Sequence, residues 1–290
     1  MNMKKIGLTA LAASLVSVSA ANAGSMSISG AASVGIGGYS SDTHNAGTSF
    51  TMGNQFTVSG GGELDNGLNI SLSYQLDNAA GVSGPFDDHS ITISSDEIGT
   101  IKFSGHGGSS ATSSMDATAA GDIWDGFDGA VATGVTGVTI GASGGTNNSI
   151  FYTAPSLMDG LTLNASYNPQ GANAESETGY GVAYTGIEGL TLKYATMDEN
   201  TGTAGTSGDQ TAWRASYVLG SVTLTATNND YDMGTATNDK ETSSYNVSYS
   251  LTDELSIQYG TEEIDVGSSA TDAEYSAIVA SYTAGGMTIT

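Results

Sequence analysis

The chain has 290 residues, with 30 acidic against 6 basic side chains, 41 glycines and no cysteine. A formal net charge of −24 repels phosphate backbones and excludes nucleic acid as a partner, and the lack of cysteine removes disulfides and thiolate metal sites. Fourteen tyrosines and a regular Leu/Ile/Val alternation are foreign to disordered chains, yet a single apolar row per strand is too little for a soluble sandwich of this length.

The chain opens on a short basic stretch, Met1 to Lys5, then an apolar run from Ile6 to Ser19, then Ala21-Asn22-Ala23 before Gly24. That order is a secretory signal peptide over residues 1–23, cleaved on export. The run is too short for a transmembrane helix, and no later segment approaches 18 continuous apolar residues. Loss of Lys4 and Lys5 leaves four bases against 30 acids, a net charge of −26 over 24–290.

From Gly24 onward one unit recurs. A short turn carrying Gly or an acid leads into an alternating strand, and a longer polar loop leads back. The residues leaving the short turns are Leu68, Thr100, Leu161, Leu190, Val222, Leu255 and Met287, at spacings of 32, 61, 29, 32, 33 and 32. A period near 32 holds two strands of about 10 residues, a tight turn and a loop, the length grammar of membrane-spanning hairpins.

Strands are expected near 26–38, 50–63, 68–77, 89–95, 100–106, 148–155, 161–168, 178–185, 190–197, 210–218, 222–229, 242–250, 255–262 and 273–283, with a fifteenth starting at Met287. Leu161-Thr162-Leu163-Asn164-Ala165-Ser166-Tyr167 and Leu255-Ser256-Ile257-Gln258-Tyr259 show the rule. Period 2 puts Leu, Ile and Tyr on one face and Ser, Thr, Asn and Gln on the other, a lipid face and a water face in a membrane barrel. Tyr74, Tyr167, Tyr194 and Tyr259 each close an apolar row, and are expected at a membrane interface. The last strand is expected to run past Thr290, as in a piece of a longer chain.

The double interval holds a loop of about forty residues, 107–147, with Asp116, Asp122, Trp124, Asp125, Phe127 and Asp128 and an apolar piece from Val131 to Ile140. A loop this long in a compact domain is usually functional, and its apolar content calls for a surface to lie against.

These features resemble the Gram-negative general diffusion porins, the α-proteobacterial type above all. The likeness rests on the leader, the hairpin grammar from Gly24 to Thr290, Asp122-Ile123-Trp124-Asp125-Gly126 in the oversized third long loop, and Ile150-Phe151-Tyr152-Thr153-Ala154-Pro155-Ser156 followed by a strand ending Ala165-Ser166-Tyr167. The resemblance implies an all-β antiparallel transmembrane barrel of the 16-stranded type, commonly a homotrimer in the bacterial outer membrane, whose third loop folds inward to narrow the pore. Outer-membrane lipid, lipopolysaccharide, ions and small hydrophilic solutes are the expected partners.

Within that frame the scarce bases stand out. Alternation turns Lys102, Lys193 and Arg214 toward the water face, where long cations escape lipid and can also form a basic wall; Lys240 falls in a loop. Asp116, Asp122, Asp125 and Asp128 are the candidate selectivity acids and favour cations. No catalytic set emerges: His44, His89 and His106 form no metal spacing, and Asp230-Tyr231-Asp232-Met233-Gly234 fails as a calcium loop because its glycine comes one place early. No resident cofactor is expected, although acidic outer loops are of a kind that collects adventitious Ca²⁺. The competing readings are a secreted or surface-attached, adhesin-like acidic β protein and an outer-membrane enzyme. Alternating tight and long connections argue for the channel.

Overall fold

The computed structural model describes residues 25–39, 47–77, 87–115, 117–124, 137–138, 147–169, 176–199, 207–233, 239–267, 272–284 and 287–289. The leader lies outside them. The chain divides into two units, one of Met1–Ser95 with Thr100–Gly107, the other of Asp96–Gly99 with Gly108–Thr290.

The first unit carries β1 (Ser25–Tyr39), β2 (Gly47–Glu63), β3 (Asn69–Asp77), β4 (His89–Ser95) and all but the first residue of β5 (Gly99–His106). Each strand lies antiparallel beside the next from β1 to β4, with Ile28 opposite Val58, Val58 opposite Tyr74 and Leu72 opposite Ile91. Opposed apolar residues make one continuous face, and the serines between them make the other; Ser27 and Ser59 hydrogen bond across it at 2.7 Å.

The second unit holds β6 (Ser149–Thr153), β7 (Leu161–Asn168), β8 (Glu177–Ile187), β9 (Leu190–Glu199), β10 (Gly208–Leu219), β11 (Val222–Asp232), β12 (Lys240–Ser250), β13 (Leu255–Val266), β14 (Ala273–Ala284) and β15 (Met287–Ile289). They also run antiparallel in chain order. All fifteen expected strands are present among the described residues, with ends moved by a few positions. Lys240 differs from expectation: it opens β12, pairing with Val266 and Tyr231, because that hairpin zips two residues further than its apolar pattern reaches.

The short turns explain the glycines of the repeat. Gly67, Gly99, Gly160, Gly189 and Gly220 all have φ between 60° and 81°, the left-handed region that a side chain disfavours.

Register gives the strands' slope. Along the hydrogen-bonded rows, Tyr167 aligns with Thr178 and then Asp198, while Tyr259 aligns with Val247, Leu224, Tyr217 and then Leu190. From β7 to β13, six strands on, the tyrosines therefore drift by 8 residues, from 198 to 190 on β9. At about 3.4 Å per residue and about 4.8 Å between strands, that drift equals a tilt of about 40°. The turn exits drift the same way, since Leu161 aligns with Leu192 while Leu190 starts β9. Strands of membrane barrels tilt by roughly 35–45°, so Tyr167, Tyr194 and Tyr259 sit at nearly one distance from the line of short turns. Beyond them the apolar face ends in carboxylates: Asp198, Asp209, Asp230, Glu241, Glu263 and Asp265 alternate with inward residues at the long-loop ends.

Candidate functional site

The segment after Gly107 leaves the strand pattern and lies along the polar face of the second unit. Strands pair their backbone groups with one another, but a segment crossing them at an angle must find side-chain partners for its own N–H groups. It finds hydroxyls. Ala111 N–H donates to Ser166 Oγ at 2.9 Å, Ala119 N–H to Thr227 Oγ1 at 2.8 Å, Ala120 N–H to Ser244 Oγ at 2.9 Å and, further on, Val138 N–H to Thr242 Oγ1 at 2.9 Å. The acceptors belong in turn to β7, β11, β12 and β12, so the segment reaches across the sheet from β7 to β12.

Glu262 is the strongest of these anchors. It is 1% exposed and receives the Thr118 hydroxyl on Oε1 and the Trp124 N–H on Oε2 at 3.0 Å. Both carboxylate oxygens thus hold the segment, and bonds to a charged acceptor are worth about 1.5–3 kcal/mol each. Next to it Gly260 makes close approach possible: a Cβ there would stand 2.6 Å from Ala120 Cβ.

Apolar contacts complete the seat. Met115, in the 3₁₀ turn Ser113–Met115, joins Val138 and the sheet residues Ala195, Ala212 and Tyr231 in one buried cluster. Those three sheet residues have the parity of the polar face, where an apolar side chain has no reason to sit unless something covers it. The Thr112 hydroxyl also reaches Met197 Sδ, another out-of-phase apolar residue, at 3.8 Å.

Among the candidate acids, Asp122 is described, while Asp116, Asp125 and Asp128 lie outside the described residues. The Asp122 side chain accepts Thr118 N–H at 3.1 Å, and its own N–H donates to Thr118 Oγ1 at 2.8 Å. It closes the segment's own turn, at a φ of 55°.

Among the candidate bases, Lys193 and Arg214 are directly cross-strand neighbours on the polar face, in the row that continues through Thr227 and Ser244 to Glu262. Arg214 Nη1 donates to Ala117 O at 3.2 Å, so this base binds the segment itself. Lys102 has polar-face parity on β5, in the other unit. Tyr74, Tyr167, Tyr194 and Tyr259 are all exposed on the apolar face. Spacing alone does not find the anchors Ser166, Thr227, Thr242, Ser244 and Glu262, which look like any other polar-face residue. The out-of-phase Ala195, Met197, Ala212 and Tyr231 were the available signal.

An antiparallel meander with one apolar and one polar face, and a long segment laid across the polar one, defines the class of transmembrane β-barrel channels. Residues 7–290 match the family model described as Gram-negative porin, and the chain belongs to that family. No curated protein matches the sequence. Solved structures agree in fold at low identity. An anion-selective porin from Comamonas acidovorans aligns with a TM-score of 0.60 and 15% identity over 90% of this chain and 84% of its own. A double mutant of the Rh. blastica porin gives 0.61 and 15% over 89% and 90%, and Salmonella typhi OmpF in complex with daunomycin gives 0.60 and 13% over 90% and 86%. The protein is an outer-membrane barrel channel, in contact with lipid on its apolar face, and it is not an enzyme.

Proposed function

We propose that this porin passes ions and small hydrophilic solutes through a lumen narrowed by residues 107–147, with a mild preference for cations. The supporting observation is the seat of the described part of that segment, held to the polar face of five strands by hydroxyls, Arg214 and Glu262. In a barrel the polar face lines water, so a segment fixed there occupies cross-section that solutes would otherwise use.

The preference for cations follows from charge. Thirty acids against four bases over residues 24–290 put a negative potential over the entrance, and acid-lined pores favour cations. Of the two bases that stand side by side on the second unit's polar face, Arg214 is engaged with a loop carbonyl, and Lys193 has the freer field. Tyr167, Tyr194 and Tyr259, at one level below a band of carboxylates, suit the upper interface of the membrane. Assembly as a homotrimer and contact with lipopolysaccharide belong to the same reading.

The reading is tested in planar bilayers with the purified protein under a potassium chloride gradient. Ohmic single-channel steps with a reversal potential on the potassium side are expected, and a chloride-side potential would refute the cation preference. Lys193→Glu is expected to move the reversal potential further toward potassium, with little change in conductance. A shift toward chloride, or none, would remove Lys193 from the conducting path.

A further inference from the structure

The polar face of the first unit carries a group of side chains that the channel reading does not use. Asp87, Asp88 and His106 offer one ligand atom each, all within 4.8 Å of one another. They are brought together by two strand ends. Asp87 and Asp88 sit just before β4, held opposite β3 by Gln75 N–H to Asp88 O at 2.7 Å and Asp87 N–H to Gln75 O at 2.9 Å. His106 is the last residue of β5. Both carboxylates therefore hang from paired backbone and not from a loop tip.

We propose that Asp87, Asp88 and His106 form a binding site for a divalent transition-metal ion, with zinc as the best-fitting member of that class. Three lines of geometry support it. First, His106 Nδ1 stands 3.3 Å from Asp88 Oδ1. That is long for a charge-assisted hydrogen bond, which favours about 2.7–2.9 Å. It is the edge of a tetrahedron whose centre lies about 2.0–2.2 Å from a nitrogen and an oxygen ligand, as around zinc.

Second, the surroundings orient the ligands as outer shells do. Gln75 Nε2 donates to Asp87 Oδ2 at 3.3 Å, fixing that carboxylate and leaving its other oxygen for the ion. Third, the Asp88 carboxylate lies against Gly107, where φ is +64° and a Cβ would come within 1.7 Å of Oδ1. Any other residue there would push the carboxylate away from His106.

The donor set also selects. Two carboxylates and one neutral imidazole balance a dication, and the nitrogen ligand favours zinc and its neighbours over calcium and magnesium, which prefer all-oxygen shells. Water completes the coordination. The site is distinct from nonspecific calcium on acidic loops because it requires the histidine.

The test uses the full chain in detergent, stripped with chelator and titrated with zinc chloride alone in a calorimeter. One zinc per chain is expected, with Asp88→Asn and His106→Ala each weakening it by about tenfold or more, as ligand-sphere changes do. Excess calcium chloride is expected to leave the zinc bound. X-ray absorption of the zinc-loaded wild type gives a second readout that needs no variant, one nitrogen among oxygens at about 2.0–2.2 Å. Equal zinc affinity in wild type and both variants, displacement by calcium, or an all-oxygen shell would overturn the proposal.

Discussion

Glu262→Ala is expected to give a channel with larger and noisier current. The substitution removes the acceptors of the Thr118 hydroxyl and the Trp124 N–H together. Two bonds to a charged acceptor contribute roughly 3–6 kcal/mol to the seating of the segment. The ratio of detached to seated segment should then rise by about a hundredfold or more, at about 1.4 kcal/mol per factor of ten. The barrel itself should survive, because Glu262 contributes only its side chain to this seat while its backbone stays paired with Ser244 and Tyr275. Single-channel recordings should show a higher mean conductance with added flicker, and Glu262→Gln, which keeps one acceptor oxygen and the same shape, should fall between. Unchanged conductance in Glu262→Ala would show that the segment is held without this carboxylate.

The opposite change is expected two residues back along β13, on the same face. Gly260→Val places a branched side chain where even a Cβ would stand 2.6 Å from Ala120 Cβ and 3.1 Å from its Cα. Real Cβ atoms do not approach so closely, and β13 cannot retreat while paired on both sides, so the segment must lift off the wall. Lifting breaks the Ala120 bond to Ser244 and strains that of Ala119 to Thr227. Overpacking of this kind costs about 1–3 kcal/mol, enough to displace a loop without unfolding a barrel. Conductance is expected to fall and the exclusion limit for sugars in a liposome-swelling assay to shrink. Faster swelling with large sugars would mean that the segment leaves the lumen altogether.

Much of the fold was legible because one rule repeats. Alternation in Leu255-Ser256-Ile257-Gln258-Tyr259 sets the face of each residue, and the glycine of each tight turn sets where the strand begins. The site was less legible, since its contacts join residues far apart in sequence: Ala120 and Ser244, or Thr118 and Glu262. Parity says that Thr227 and Ser244 face water, but only register says that they stand in one row under the segment. Lys240 was misplaced for a related reason, as the outer end of its hairpin is stabilised by pairing and not by apolar content. The histidine of the proposed metal site lies 18 and 19 positions from its two aspartates, a spacing no local motif contains.

Four of the bonds that seat the segment join a neutral N–H to a neutral hydroxyl, those on Ser166, Thr227, Ser244 and Thr242. Dissolved salt screens charges over about 10 Å at 0.1 M and leaves such bonds untouched. On the proposed reading, the seat therefore keeps its geometry in dilute and concentrated media alike, since Glu262, its charged anchor, is buried where salt screens little. An exclusion limit for sugars that is the same at low and high salt is the expected signature.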